Sequence, residues 1–165
     1  MNKIQLISLS GLFFLLTVPA FAGDNWTVVI DEDPLSQSSQ CLLESVTHTI
    51  EDGQTDTPVK LVYNGKHIVA TSKSTLDLSY PNVGLKVATH EPYKIDRVHK
   101  KTIAVFSTQA SSIHKAFIAG KKAQLALGFW PTWPQTHTRI IEFSLIGYTK
   151  AHEQFVECQT SGKLP

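Results

Sequence analysis

Apolar and polar positions alternate with a period of two over most of this chain, the pattern of half-buried β-strands. Trp26-Thr27-Val28-Val29-Ile30 reads as an entry strand, closed by an acidic turn at Asp31-Glu32-Asp33-Pro34. Residues 40–47 form a second run, with Cys41, Leu43 and Ser45 on one face and Leu42, Glu44 and Val46 on the other. The stretch 51–57 is too polar to serve as core and reads as a loop. The sharpest local signal is Asn64-Gly65, set between β-branched segments. Those two residues tolerate positive φ, so the pattern predicts a hairpin with a two-residue type I′ turn. Further strands are expected at 75–79, 85–89, 93–98, 102–106, 121–127 and 139–145.

The period changes twice. Ala110, Ile113 and Phe117 follow helical spacing, and Gly120 is placed to end that helix in the left-handed region. After Gly147, the positions Ala151, Phe155 and Cys158 again share one helical face. The expected fold class is therefore mainly β: an antiparallel β-sandwich or partly open barrel with two short α-helices, one before the penultimate strand and one C-terminal.

The N-terminal segment has a different character. Lys3 precedes an apolar run centred on Leu12-Phe13-Phe14-Leu15-Leu16, and Pro19 and Ala20-Phe21-Ala22 follow. This is the order of a secretory signal peptide, and the run is shorter than the roughly 20 residues a spanning helix needs. Residues 1–22 are expected to be cleaved, leaving 23–165 as a single β-sandwich domain without a transmembrane segment, periplasmic or secreted. Lys+Arg 15 against Asp+Glu 14 becomes an even balance once Lys3 is removed, which disfavours nucleic acid and acidic membranes as partners. Export also changes the reading of the cysteines. Cys41 and Cys158 are the only two, so in an oxidising compartment they are expected to pair in one long-range disulfide.

Candidate chemistry is sparse. None of the seven histidines has the spacing that puts two metal ligands on one element, so no metal site is expected. Gly-x-Ser-x-Gly and phosphate-binding glycine loops are absent, and oxidised cysteines leave no thiolate nucleophile. Asp31-Glu32-Asp33 lacks the ligand spacing of a calcium loop and reads as a solvated turn. The expectation is a non-enzymatic protein without a cofactor. Phe129-Trp130-Pro131-Thr132-Trp133-Pro134 stands out, because Trp and Pro together resist regular structure. Trp130 and Trp133 are candidate partner-binding residues on a rigid loop, or else indoles that fold back over one end of the sandwich.

Trp26 near the mature start, Cys41 on the next strand, and two late stretches carry a family resemblance. The stretches are Ser112-Ile113-His114-Lys115-Ala116-Phe117-Ile118-Ala119-Gly120-Lys121-Lys122-Ala123 and Phe143-Ser144-Leu145-Ile146-Gly147-Tyr148-Thr149-Lys150-Ala151. Together they resemble the invasion-associated locus B family of exported bacterial proteins over nearly the whole mature chain. Ile30 stands where that family usually carries a cysteine, its mid-chain cysteine pair is missing, and Cys158 is additional, so its disulfide pattern does not carry over. The resemblance implies an all-β periplasmic sandwich associated with host cells, binding a protein or cell-surface partner, with no established catalytic residues. A periplasmic inhibitor or chaperone-like module is the alternative, followed by a small envelope hydrolase or metal carrier.

Overall fold

The computed structural model describes residues 25–89, 91–130 and 137–165; the expected signal segment, His90 and Trp133 lie outside them. In chain order the strands begin with β1 (Trp26–Glu32), β2 (Ser39–Ser45), β3 (His48–Glu51), β4 (Asp56–Tyr63) and β5 (Ile68–Thr71). There follow β6 (Thr75–Leu76), β7 (Gly84–Val87), β8 (Arg97–His99) and β9 (Ile103–Phe106). Helix α1 (Ala110–Ala119) precedes β10 (Lys122–Leu127), β11 (Phe129–Trp130) and β12 (Arg139–Ser144), and α2 (Tyr148–Ser161) is last. The main sheet runs β1-β2-β4-β5-β9-β8, with β3 also paired to β4; a second sheet runs β12-β10-β7, and β11 pairs β6. Among the described residues all pairings are antiparallel and no strand order closes on itself, so the fold there is mainly β and open, with two helices, as the periodicity implies.

The core lies between the two larger sheets and the helices. Leu43, Leu61 and Ala70 from the main sheet meet Leu85, Leu125 and Phe143 from the second, with Ile113 and Phe117 of α1 and Phe155 of α2 closing one side. A smaller cluster of Leu42, Val62, Val69, Ile103 and Val105 also forms from main-sheet residues. Buried residues therefore run consecutively through Ile68-Val69-Ala70 and Ile103-Ala104-Val105-Phe106, where alternation disappears.

Several local expectations are corrected. The Asn64-Gly65 hairpin exists, but Tyr63 pairs Ile68, so its loop has four residues rather than two. The Asn64 side chain rebuilds the turn: its Oδ1 accepts from the N–H groups of Lys66 (3.0 Å) and His67 (2.7 Å). The predicted loop at 51–57 shrinks, because β3 and β4 run into it and Asp52 Oδ1 closes the remaining turn on the N–H groups of Gln54 and Thr55. The run read as one strand at 40–47 is interrupted. Glu44 faces Val62 while His48 faces Val59, so four steps on one side match three on the other, a one-residue bulge. There Ser45 Oγ accepts from the Leu61 N–H (2.9 Å) in place of a ladder bond. The strand expected at 75–79 is paired only at Thr75–Leu76, and of 93–98 only the end joins β8, beyond a bridge at Tyr93.

Gly120 ends α1, but in extended backbone (φ −89°) rather than the left-handed region. Space, not φ, demands glycine here. A Cβ would lie 2.8 Å from the Ala116 carbonyl oxygen, 2.9 Å from Val87 Cγ1 and 3.0 Å from Leu145 Cδ1. Gly147, at φ +90°, does use the left-handed freedom of glycine to open α2.

Candidate functional site

Trp130 ends the short strand β11, paired with Thr75. Its neighbour Phe129 is buried, whereas Trp130 itself is 65% exposed. The strand is seated tightly: a Cβ on Gly128 would meet the Tyr80 ring at 2.5 Å, and the Asp77 N–H donates to the Gly128 carbonyl at 2.9 Å. An exposed indole on a held backbone has apolar area to offer a partner and little backbone freedom to lose. Of the alternatives left open by the sequence, Trp130 does not fold back over the core; Trp133 lies outside the described residues.

Cys41 and Cys158 come together at the other chemically distinctive place. Their sulfurs are 2.04 Å apart and their Cα atoms 6.0 Å apart, which is disulfide geometry. The contact joins α2 to β2 across 117 residues, and both side chains are buried.

Next to Cys41, at Gln40, begins a polar node that the sequence did not reveal. Asp33, expected in a solvated turn, is fully buried. Its Oδ1 accepts from the N–H groups of Leu35 (2.6 Å) and Ser36 (2.9 Å), and its Oδ2 from Asn64 Nδ2 (2.6 Å) and Gln40 Nε2. Burial by itself pushes this carboxyl up, but the bonds from Ser36, Asn64, Leu35 and Gln40 together outweigh it and hold the pKa below 3.8. With four donors already aimed at it, the carboxylate serves as a fastener between the β1–β2 and β4–β5 loops rather than as a base. A cleft of about 480 Å³ beside it is lined by Ser36, Ser38, Lys66, His67 and Gln159 among others. Replacing Asp33 with Ala orphans those donors and is expected to cost about 2–3 kcal/mol at pH 7 in urea unfolding. Because the folded pKa is depressed, the wild-type advantage is complete above pH 3.8 and fades as pH falls below it. Equal stability of the two proteins at pH 7 would remove this role.

The second unanticipated arrangement lies between the helices. His114 of α1 and His152 of α2 are far apart in sequence, yet their ring centroids are 4.3 Å apart. Tyr63 of β4 stacks on His114 (5.2 Å, 10°) and also borders His152 and Phe155. His114 Nδ1 and the Tyr148 hydroxyl are hydrogen-bonded at 2.8 Å. Burial, and then the neighbouring His152, hold the His114 pKa below its ordinary value; burial also lowers that of His152, against a smaller opposing pull from Glu153. Burial, and then Tyr63, push the Tyr148 hydroxyl far up. The spacing of Tyr148, His152 and Phe155 on α2 is legible in the sequence; what meets them from α1 and β4 is not. No group of three or more His, Cys, Asp or Glu among the described residues is arranged to hold a metal ion. Nor is any described helix long and apolar enough to cross a membrane.

No protein-family model and no curated protein matches the sequence. Among solved structures, the fold is similar to that of invasion associated protein B from Bartonella henselae. The TM-score is 0.51, with 18% identity, covering 84% of this chain and 96% of that one. The fold expected from the sequence resemblance is therefore the one found.

Proposed function

We propose that this protein is exported, loses residues 1–22, and acts as residues 23–165, a single non-enzymatic binding domain in the periplasm or outside the cell. In this reading it contacts a protein or cell-surface partner in host-cell association, with Trp130 and Trp133 as the candidate contact residues. The observation that carries the proposal is the fold similarity to an invasion-associated protein over most of both chains. Three features support it. The buried Cys41–Cys158 contact suits an oxidising compartment. The Asp33 carboxylate is fully engaged, so it offers no catalytic base. Trp130 exposes a large apolar side chain, the type of residue that dominates interface energetics.

The test uses the mature protein, fluorescently labelled, on cultured host cells. Trp130→Ala is expected to weaken cell-surface binding about tenfold or more. Its melting temperature should stay close to wild type, since an exposed side chain contributes little to stability. Absence of saturable binding by the wild type would refute the host-association reading. Full binding by the variant would remove Trp130 as the contact. The mass of the exported chain checks the other half: the mature N-terminus is expected at Gly23, and an intact Met1 on the exported protein would overturn the cleavage.

A further inference from the structure

We propose that His114 and His152 form an acid-sensitive latch between α1 and α2, closed when both imidazoles are neutral and opened by their protonation, with the Cys41–Cys158 contact keeping the freed helix attached. The two helices meet at few places, and this pair occupies one of them. Both rings are half-buried, so protons can reach them, but their charged forms are poorly solvated there. Two imidazolium rings with centroids 4.3 Å apart would repel each other across the seam.

The groups around the pair decide the sign. From β4, Tyr63 offers the face of its ring to His114, which favours a cation modestly. From α2, Tyr148 meets His114 through its hydroxyl, a neutral group that can donate to or accept from Nδ1 and so does not oppose protonation. Glu153 exerts an acidic influence on His152, and it is outweighed by burial. Trp26 and Phe117, packed on Tyr148 from β1 and α1, carry no charge. The net effect is two bases whose protonation is disfavoured in the folded state. Stability is then complete above the unfolded histidine value of about 6.5 and is lost as pH falls below it. The depressed carboxyls of Asp33, Asp52 and Asp96 act in a separate window, below 3.8.

The position of the latch confines what opens. Tyr148 and His152 lie in the first half of α2, whereas Cys158 lies in the second and is tied to β2. Acid should therefore loosen the start of α2 while the end stays on the sheet. Such a device would change the surface formed by the two helices without unfolding the domain.

Thermal melting and hydrogen exchange of the mature, oxidised protein at pH 7.5 and 5.0 test this. The wild type is expected to lose about 4 °C more than His114→Gln/His152→Gln over that interval. After correction for intrinsic rates, amides at 151–153, the first to bond within α2, should exchange faster at pH 5.0, while those near Cys158 stay protected. An equal fall in melting temperature for both proteins, or unchanged protection at 151–153, would overturn the latch. Should the double variant fail to fold, NMR titration of His114 in the single variant His152→Gln decides the matter. Removing the neighbouring imidazole should raise the His114 pKa, and an unmoved value refutes the coupling.

Discussion

Replacing Cys41 and Cys158 with alanine is expected to lower the unfolding free energy by about 3–5 kcal/mol. The cross-link closes a loop of 117 residues, and the chain entropy it removes from the unfolded state grows with loop length. The native contact also adds something that entropy alone does not. α2 packs on β1 and β2, but its buried side chains besides the disulfide form a single line: Tyr148, Ala151 and Phe155. Without the cross-link, α2 is held to the sheet by fewer buried contacts. Urea unfolding of the double variant against the oxidised wild type measures the effect, and reduction of the wild type should reproduce it. A difference below about 1 kcal/mol in both comparisons would mean that packing alone seats α2.

Trp26→Ala is expected to cost about 3–5 kcal/mol. The indole is nearly fully buried on an edge strand, yet it reaches three other elements. Its Nε1 donates to the Ser144 carbonyl at the end of β12 (2.8 Å), its ring packs edge-on against Tyr148 of α2 (4.8 Å), and it tilts against Phe117 of α1 (5.7 Å). Truncation opens a cavity where both sheets and both helices meet, and it strands a carbonyl. Trp26→Phe separates these contributions. It keeps most of the aromatic contact and loses the hydrogen bond, so about 1–2 kcal/mol is expected. A loss under 1 kcal/mol for the alanine variant would show that Trp26 is not the tie between the layers.

Both predictions rest on residues that stand out in the sequence. Trp26 and the two cysteines are rare types whose burial or pairing follows from chemistry that needs no knowledge of their neighbours. The two helices are legible for a similar reason: Ala110, Ile113 and Phe117, then Ala151, Phe155 and Cys158, repeat at a spacing set by local geometry, and all are buried. Gly120 shows the limit. Its location at a helix end is readable, but its reason is steric crowding by Val87 and Leu145, which come from other strands and connections.

Polar residues are less legible. Asp33 looks like a turn residue because aspartate usually is one; its burial depends on Asn64 arriving from a hairpin 31 positions away. The bulge between β2 and β3 leaves no mark in the alternation, because Val46 and Thr47 each fit a strand locally and only the register against β4 separates them. Histidine spacing excludes two ligands on one helix, and it says nothing about His114 and His152 meeting from two different helices.

Period, composition and residue rarity determined the fold class, both helices and the cysteine pair as candidates, since each depends on spacing within a segment or on counts along the chain. The tertiary structure alone decided the strand order, the Asp33 fastening, the exposure of Trp130 and the imidazole pair. These depend on which segments become neighbours after the sheets close over the core, and a half-buried side chain carries no signature of the partner that will face it.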